Sequence, residues 1–160
     1  MTVRFFRRRF IEACIPVEAG ETPLLRSFEL TVGLEAPVNP LSGMTVNLTK
    51  VDQWMSELPK AALLSSEFRA LEDFQAQMRD RIQTEDVVFL SIELKEDRRW
   101  WALTERGPEI GERRAIRKGS QDGQSLPMWQ ETIQTPGGVL LERREISMDG
   151  RTAQVYFPEL

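Results

Sequence analysis

The clearest pattern in the first third of the chain is an alternation of apolar and polar positions between residues 24 and 35. A period of two puts alternate side chains on opposite faces of a strand, so this stretch is predicted to be a strand with one buried face. Residues 3–15 are predicted to form a strand before it. The apolar positions of the second strand are Phe28, Leu30, Val32 and Leu34.

A loop rich in proline is predicted at residues 37–43. After it, the spacing of the apolar residues becomes that of an amphipathic helix. Asn47 and Thr49 are both suitable N-caps, so either residue can begin this helix. Pro59 ends it, because the residue before a proline is pushed out of the helical region. The apolar positions recur at spacings of three and four: Leu48, Val51, Met55 and Leu58.

A second helix is predicted from Ser65 or Ser66 to Gln83, and two strands are predicted at 86–95 and 98–105. The order to this point is β-β-α-α-β-β, which is typical of an α+β fold with two helices on one face of an antiparallel sheet. The apolar positions of the second helix are Phe68, Leu71, Phe74, Met78 and Ile82, and those of the third strand are Val88, Leu90, Ile92 and Leu94.

The last third of the chain has a different composition. Residues 106–127 are rich in charge and glycine, and they are predicted to be a long loop or an insertion between a unit at 1–105 and a C-terminal extension at 128–160. The extension is predicted to be a β meander that packs on the same domain, with strands at 129–135, 139–147 and 152–157.

The composition of the chain excludes several classes of function. A chain of 160 residues with a net charge of −4 forms about one domain and has no overall attraction to nucleic acid. Its single cysteine, Cys14, and the lack of a long apolar run predict a cytoplasmic protein that does not span a membrane. The chain has no histidine, which excludes Ser-His-Asp catalysis, Cys-His catalysis and most zinc enzymes.

The stretch PLSGMTVNLTKVDQWM at residues 40–55 resembles a segment of the 6-pyruvoyl-tetrahydropterin synthase and 6-carboxytetrahydropterin synthase family. The ββααββ order is similar to that family's tunnelling fold, and the resemblance covers residues 3–104. It implies subunits that join their sheets edge to edge into rings, as a trimer or a hexamer. The matching positions are Pro40, Ser42, Gly43, Met44, Val46, Asn47, Leu48 and Val51.

The family binds a catalytic zinc through three histidines, and the resemblance puts Cys14, Leu24 and Arg26 at those positions. Leucine has no donor atom for a metal and arginine repels one, so no metal site and no zinc cofactor are expected. Cys14 has two interpretations from its own surroundings, a small buried hydrophobic residue or a reactive thiol.

The resemblance also implies a pterin anchor at Glu93 on the third strand. A carboxylate accepts two parallel N–H bonds from a ring amide and the neighbouring amino group, which selects pterin or purine-like rings. The alternative is a carboxylate on a solvated face or in a salt bridge. Val87, Phe89 and Ser91 are the expected neighbours of Glu93 on its face of the strand, and they favour a pocket or an interface.

Other side chains also have two interpretations. Trp100 and Trp101 can stack on a ring or pack in a core, and only one of the two can face a given pocket. The arginine runs at 7–9 and 113–118 can bind phosphate or remain solvated.

Two classes of function follow. The first is a non-catalytic, oligomeric binding or scaffold protein that lacks catalytic residues and holds a pterin or purine-like ligand through Glu93. The second is a metal-free enzyme of the same superfamily, with Lys60 and Lys95 as the nearby lysines. Whether the protein is an enzyme stays open, with the missing zinc and acid-base residues favouring the first class.

Overall fold

A computed structural model describes residues 1–15, 17–43, 46–82, 86–119 and 122–158. Within these ranges the chain forms eight strands and three helices. In chain order they are β1 (Thr2–Ile15), β2 (Leu24–Pro37), α1 (Leu48–Ser56), α2 (Lys60–Leu63), α3 (Glu67–Ile82), β3 (Val88–Glu96), β4 (Arg99–Thr104), β5 (Gly107–Gly119), β6 (Ser125–Gln134), β7 (Leu140–Ser147) and β8 (Ala153–Tyr156).

All eight strands belong to one antiparallel sheet in which each strand pairs with the next along the chain. This confirms the predicted α+β class and the ββααββ order of the first part, with α2 as an additional short helix. None of the helices in the described ranges is long and apolar enough to cross a membrane.

The hydrophobic core lies between the first four strands and the helices. Paired residues of antiparallel strands share a face, so the rows Leu30–Leu94–Trp101 and Val32–Ile92–Leu103 point to the same side of the sheet. The helices α1 and α2 pack on β1, and α3 packs on β3 and β4. We call this side the helix face and the other side the open face. The largest fully buried helix residues are Met55, Leu63, Leu71, Phe74 and Met78.

Local capping explains where the long helices begin. Asn47, and not Thr49, is the N-cap of α1, because its side-chain oxygen accepts a hydrogen bond of 2.9 Å from the Thr49 backbone N–H. Before α3, the Ser66 hydroxyl accepts a weaker bond of 3.4 Å from the Arg69 N–H. The predicted end at Gln83 lies outside the described residues.

The predicted loop at residues 106–127 is wrong for most of its length, because the structure forms β5 and the start of β6 there. Charge and glycine are typical of a loop, yet charged side chains of β5 pair with polar partners on β6 and β7. Such pairing satisfies a sheet without apolar alternation. The pairs are Arg113–Glu131, Arg114–Gln130 and Lys118–Glu145. The three predicted C-terminal strands are confirmed with small shifts of their ends.

A β-bulge changes the predicted faces of β3. Gly33 pairs with Ser91 but Leu34 pairs with Phe89, so Leu90 has no direct partner on β2. The extra residue moves Phe89 to the helix face, where Val87 and Phe89 pack against the core. The predicted face shared by Glu93, Phe89 and Val87 is therefore wrong, and so is the continuous apolar face from Val88 to Leu94.

Candidate functional site

A cavity of about 330 Å³ lies on the open face, and side chains from β3 to β7 contribute to its wall. We call this cavity the basin. The strand register explains which side chains line the basin, because Glu93 pairs with Ala102 and Lys95 pairs with Trp100. Paired residues point the same way, so consecutive strands bring these side chains to one place although they are distant along the chain. The wall and floor of the basin include Glu93, Lys95, Trp100, Ala102, Glu131 and Arg144.

Trp100 and Gly111 form the floor of the basin. These two residues are register partners, and a Cβ atom built on Gly111 would lie 1.8 Å from Cε2 of Trp100. The indole ring therefore lies directly over the backbone of β5, in space that only glycine leaves open. The neighbouring Trp101 points to the helix face and packs in the core, whereas Trp100 lines the basin.

Three glutamates of the basin region are buried and paired with arginines. Arg106 Nε lies 2.7 Å from Glu109 Oε1, and a second guanidinium nitrogen of Arg106 lies 3.6 Å from Glu142. Arg144 bonds to Glu142 and lies 3.5 Å from Glu131. The hydrogen bond to Glu142 is the main cause that raises the pKa of Arg144. The exposed fractions are 3% for Glu109, 6% for Glu131 and 5% for Glu142.

Glu93 differs from these glutamates. Its carboxylate is half-buried, and within the described ranges it makes no hydrogen bond or ion pair. Burial raises the pKa of Glu93, and the charges of Glu29 and Glu131 add to the effect, while Lys95 and Arg8 oppose it. A carboxylate in this position has acceptor capacity that the surrounding described side chains leave unused.

Lys95 follows Glu93 by two residues and points to the same face. The part of the chain that the structure describes offers it no ion pair within 4.0 Å, although its charge acts on Glu93 through space. Among the described residues, the basin therefore contains one group of each sign without an ion-pair partner, Glu93 and Lys95. Lys60, the other nominated lysine, begins α2 and is exposed outside the basin.

The three positions at which the resemblance puts the zinc ligands lie near the same end of β1 and β2 but do not converge. Cys14 pairs with Leu25, Arg26 pairs with Ala13, and Leu24 follows at the end of the ladder, so Cys14 and Arg26 point to opposite faces. Arg26 is held on the helix face by Glu96 at 2.6 Å, which is the main cause of its raised pKa, and by Glu67 at 3.0 Å.

Cys14 is exposed, so its interpretation as a small buried hydrophobic residue is wrong. Its register position on the open face of an edge strand explains the exposure. Among the described residues no group of three or more cysteine, aspartate or glutamate side chains is placed to hold a metal ion.

The arginine run of β1 is bound within the chain. Arg7 donates two hydrogen bonds of 2.7 Å to Asp52 of α1, and Arg9 donates one of 2.8 Å to the Asp52 carbonyl oxygen. Arg8 lies 3.0 Å from Glu29 on the open face. These pairs connect β1 to its neighbours and use much of the donor capacity that a phosphate would need.

No family model, curated protein or solved structure matches this chain. Function is therefore inferred from the chemistry of the basin.

Sequence reasoning named Glu93, Lys95 and Trp100 as candidates but missed the other residues that line the basin. The floor requires Trp100 to meet Gly111, and the wall requires Glu131 and Arg144 to meet across β6 and β7. A glycine flanked by Ile110 and Glu112 in a charged stretch was the available signal for a close approach of another side chain. No sequence pattern indicates the ion pairs, because their partners are distant along the chain and only the strand register brings them together.

Proposed function

We propose that this protein is a non-catalytic, self-associating binding protein whose basin holds a pterin or purine-like ring through Glu93. The observation that carries the proposal is the contrast among the basin carboxylates. Glu109, Glu131 and Glu142 are each paired with arginine, whereas Glu93 is half-buried with its acceptor sites unused by the described residues. An unpaired buried carboxylate is unfavourable unless a ligand supplies donors.

The chemistry and size of the basin fit such a ring. The ring amide and amino group of a pterin or guanine present two parallel N–H donors, which match the two oxygens of one carboxylate. Ala102 and the indole of Trp100 provide an apolar surface beside Glu93 for the body of the ring. A volume of about 330 Å³ is near the lower end of ligand pockets, roughly 300 to 1,000 Å³, which favours a bicyclic ring over a whole nucleotide.

The tunnelling fold is part of the same proposal. The first four strands and the helices on one of their faces support it, as does the segment at residues 40–55, of which Met44 lies outside the described residues. In this view the chain is a divergent pterin-synthase-like protein that keeps the anchor and has lost zinc. The resemblance puts Cys14, Leu24 and Arg26 at the ligand positions, and their side chains do not form a metal site. A cytoplasmic location belongs to the proposal.

Self-association through sheet edges is also proposed. The resemblance implies a ring of three or six copies, which pairs the two unlike free edges of each subunit, whereas pairing of like edges closes at two copies. In this chain β5 covers the outer edge of β4, so within the described residues the sheet ends at β1 and β8.

A metal-free enzyme is the second candidate, and the raised pKa of Glu93 beside Lys95 favours it. A carboxyl group whose pKa is raised by burial is better matched to proton transfer near neutral pH than an ordinary glutamate. In this candidate Glu93 exchanges a proton with the bound ring and Lys95 stabilises the negative charge. Conversion of a bound pterin that stops in Glu93→Gln while binding persists would support this candidate over the first.

Thermal-shift screening against pterins and guanine derivatives tests the proposal. We expect a ligand of this class to raise the Tm of the wild type and to lose that effect in Glu93→Ala and Glu93→Gln. The matched control is Glu72→Gln, an exposed glutamate of α3 on the other side of the sheet, which should keep the full shift. A shift that survives Glu93→Ala, or one zinc per subunit by elemental analysis, contradicts the proposal.

A further inference from the structure

The outer edge of β1 is a long row of backbone groups with no strand beside it in the described structure. The Met1 carbonyl oxygen accepts a 3.0 Å hydrogen bond from the Val38 N–H, and the pairing of β1 with β2 continues in that register. In an antiparallel pair, inward and outward backbone groups alternate from residue to residue. The even-numbered residues from Thr2 to Cys14 therefore point their N–H and C=O groups away from β2.

The sequence of β1 is self-complementary about Arg8. When a second β1 runs antiparallel with Arg8 opposite its own copy, Phe6 meets Phe10 and Arg4 meets Glu12. All of these residues are even-numbered, so each outward backbone group meets another outward group. The same alignment puts aromatic rings beside each other and opposite charges beside each other, and each of these pairs occurs twice by symmetry.

We propose that two copies of this chain join through their β1 edges in this register, forming one continuous sheet across a two-fold axis at Arg8. The exposure of Phe6 and Phe10 in the single chain supports the idea that another strand covers this edge. Phe6 is 64% exposed and Phe10 is 79% exposed, both on the open face of an edge strand. A long edge strand with exposed apolar side chains is a template for another strand, and a second β1 covers it.

The arginines of β1 do not prevent this contact. Two copies of Arg8 meet at the axis, but each lies 3.0 Å from Glu29 of its own chain, which offsets the repulsion. In this register Arg7 lies opposite Arg9 of the second copy. Arg7 is paired with the Asp52 carboxylate, and Arg9 donates to the Asp52 carbonyl oxygen. The charged residues that usually protect an edge are therefore engaged within each chain.

The edge of β8 is a poorer partner for β1. β8 contains four residues, Ala153–Tyr156, whereas β1 contains fourteen, so a β1–β8 contact would leave most of the β1 edge open. A second β1 matches the full length. The pairing is isologous and closes at two copies, whereas β1–β8 contacts would continue into rings or filaments.

Cysteine cross-linking tests the register. In a Cys14→Ser background, Arg8→Cys puts one thiol of each copy at the axis, where the Cα atoms of a hydrogen-bonded antiparallel pair are about 5.5 Å apart, within disulfide range. We expect mild oxidation to give a covalent dimer of Arg8→Cys. Arg4→Cys in the same background is the matched control and should remain uncross-linked, because its counterpart lies opposite residue 12. Equal cross-linking of both variants overturns the proposal.

Charge reversal provides a second test that does not depend on oxidation. Glu12→Arg puts an arginine opposite Arg4 at two symmetric positions, and we expect it to weaken the dimer about tenfold by sedimentation equilibrium. The double variant Arg4→Glu/Glu12→Arg should recover most of the affinity, while circular dichroism verifies that each variant is folded. A wild-type mass of one or three copies, or no recovery in the double variant, also overturns the proposal.

Discussion

The two halves of the sheet bury different chemistry. The first half, β1–β4, packs against the helices and buries aliphatic and aromatic side chains such as Phe28, Leu30 and Leu94. The second half, β5–β8, buries glutamates, and among its described residues Ile133 is the buried large hydrophobic side chain. The buried glutamates of the second half are Glu109, Glu131, Glu142 and Glu145.

This difference shows that one sheet can be held together in two ways. The first half depends on removing apolar area from water, which is favourable for every buried methylene group. In the second half each buried carboxylate has a cationic partner from β5, from β7 or from the turn before β5, such as Lys118 of β5 at 2.6 Å from Glu145 of β7. Buried ion pairs contribute little net stability, but breaking one of them is costly because the remaining charge has no partner.

The largest expected effect is in the first half. Phe74 of α3 is fully buried, so Phe74→Ala leaves a cavity and should lower the free energy of unfolding by about 3 to 5 kcal/mol. Urea denaturation measures the loss. Phe157→Ala is the control, because that ring is 69% exposed and its removal should change stability little. Similar losses for both variants would show that the apolar core is not where the structure puts it.

The next effect is at the floor of the basin, where the two halves meet. Gly111→Ala forces a methyl group to within 1.8 Å of the Trp100 ring, and overpacking of this kind should cost about 3 kcal/mol. Gly119→Ala, near the end of the same strand with no atom within 4 Å of the added Cβ, should be close to neutral. The proposed ring site should also be disturbed in Gly111→Ala. Equal stability of the two variants would contradict the close packing.

A smaller effect is expected from the ion pairs of the second half. Arg144→Met leaves Glu142 and Glu131 with fewer donors, and it should lower the free energy of unfolding by about 1 to 3 kcal/mol. The double variant Arg144→Met/Glu142→Met removes both members of one pair and should recover part of that loss. If the double variant is no more stable than the single one, the second half is not held by paired charges.

The smallest effect concerns Glu93, the basin carboxylate without a partner. Because burial raises its folded-state pKa, its ionisation disfavours folding, and stability is lost as pH rises through that pKa. Glu93→Gln should therefore have a slightly higher Tm than the wild type at pH 7. The difference should disappear at a pH below the ordinary pKa of glutamate. A lower Tm for Glu93→Gln at pH 7 would indicate that Glu93 has a stabilising partner.

Sequence patterns predicted the first half of the fold and the three C-terminal strands but missed β5, and the difference in buried chemistry explains why. Alternation at Phe28 to Leu34 and helical spacing at Leu71 to Met78 directly reflect apolar burial. In β5 the buried residues are Glu109 and Gly111, which in a single sequence are typical of loops. No sequence pattern indicates the bulge at Leu90. Alternation alone therefore puts Val87 and Phe89 on the face of Glu93, which is wrong.

The proposal depends on Glu93 being a partly buried carboxylate whose acceptor sites are filled by N–H donors of a ligand. The pKa of Glu93 with and without ligand tests this most directly. Carbon-detected NMR titration of the glutamate side chains, with Glu93→Gln used to assign the signal, gives that pKa with and without a pterin. We expect a pKa above that of an ordinary glutamate in the free protein and a decrease on ligand binding, because N–H donors favour the ionised form. An ordinary pKa that does not change at saturating pterin would contradict the claim.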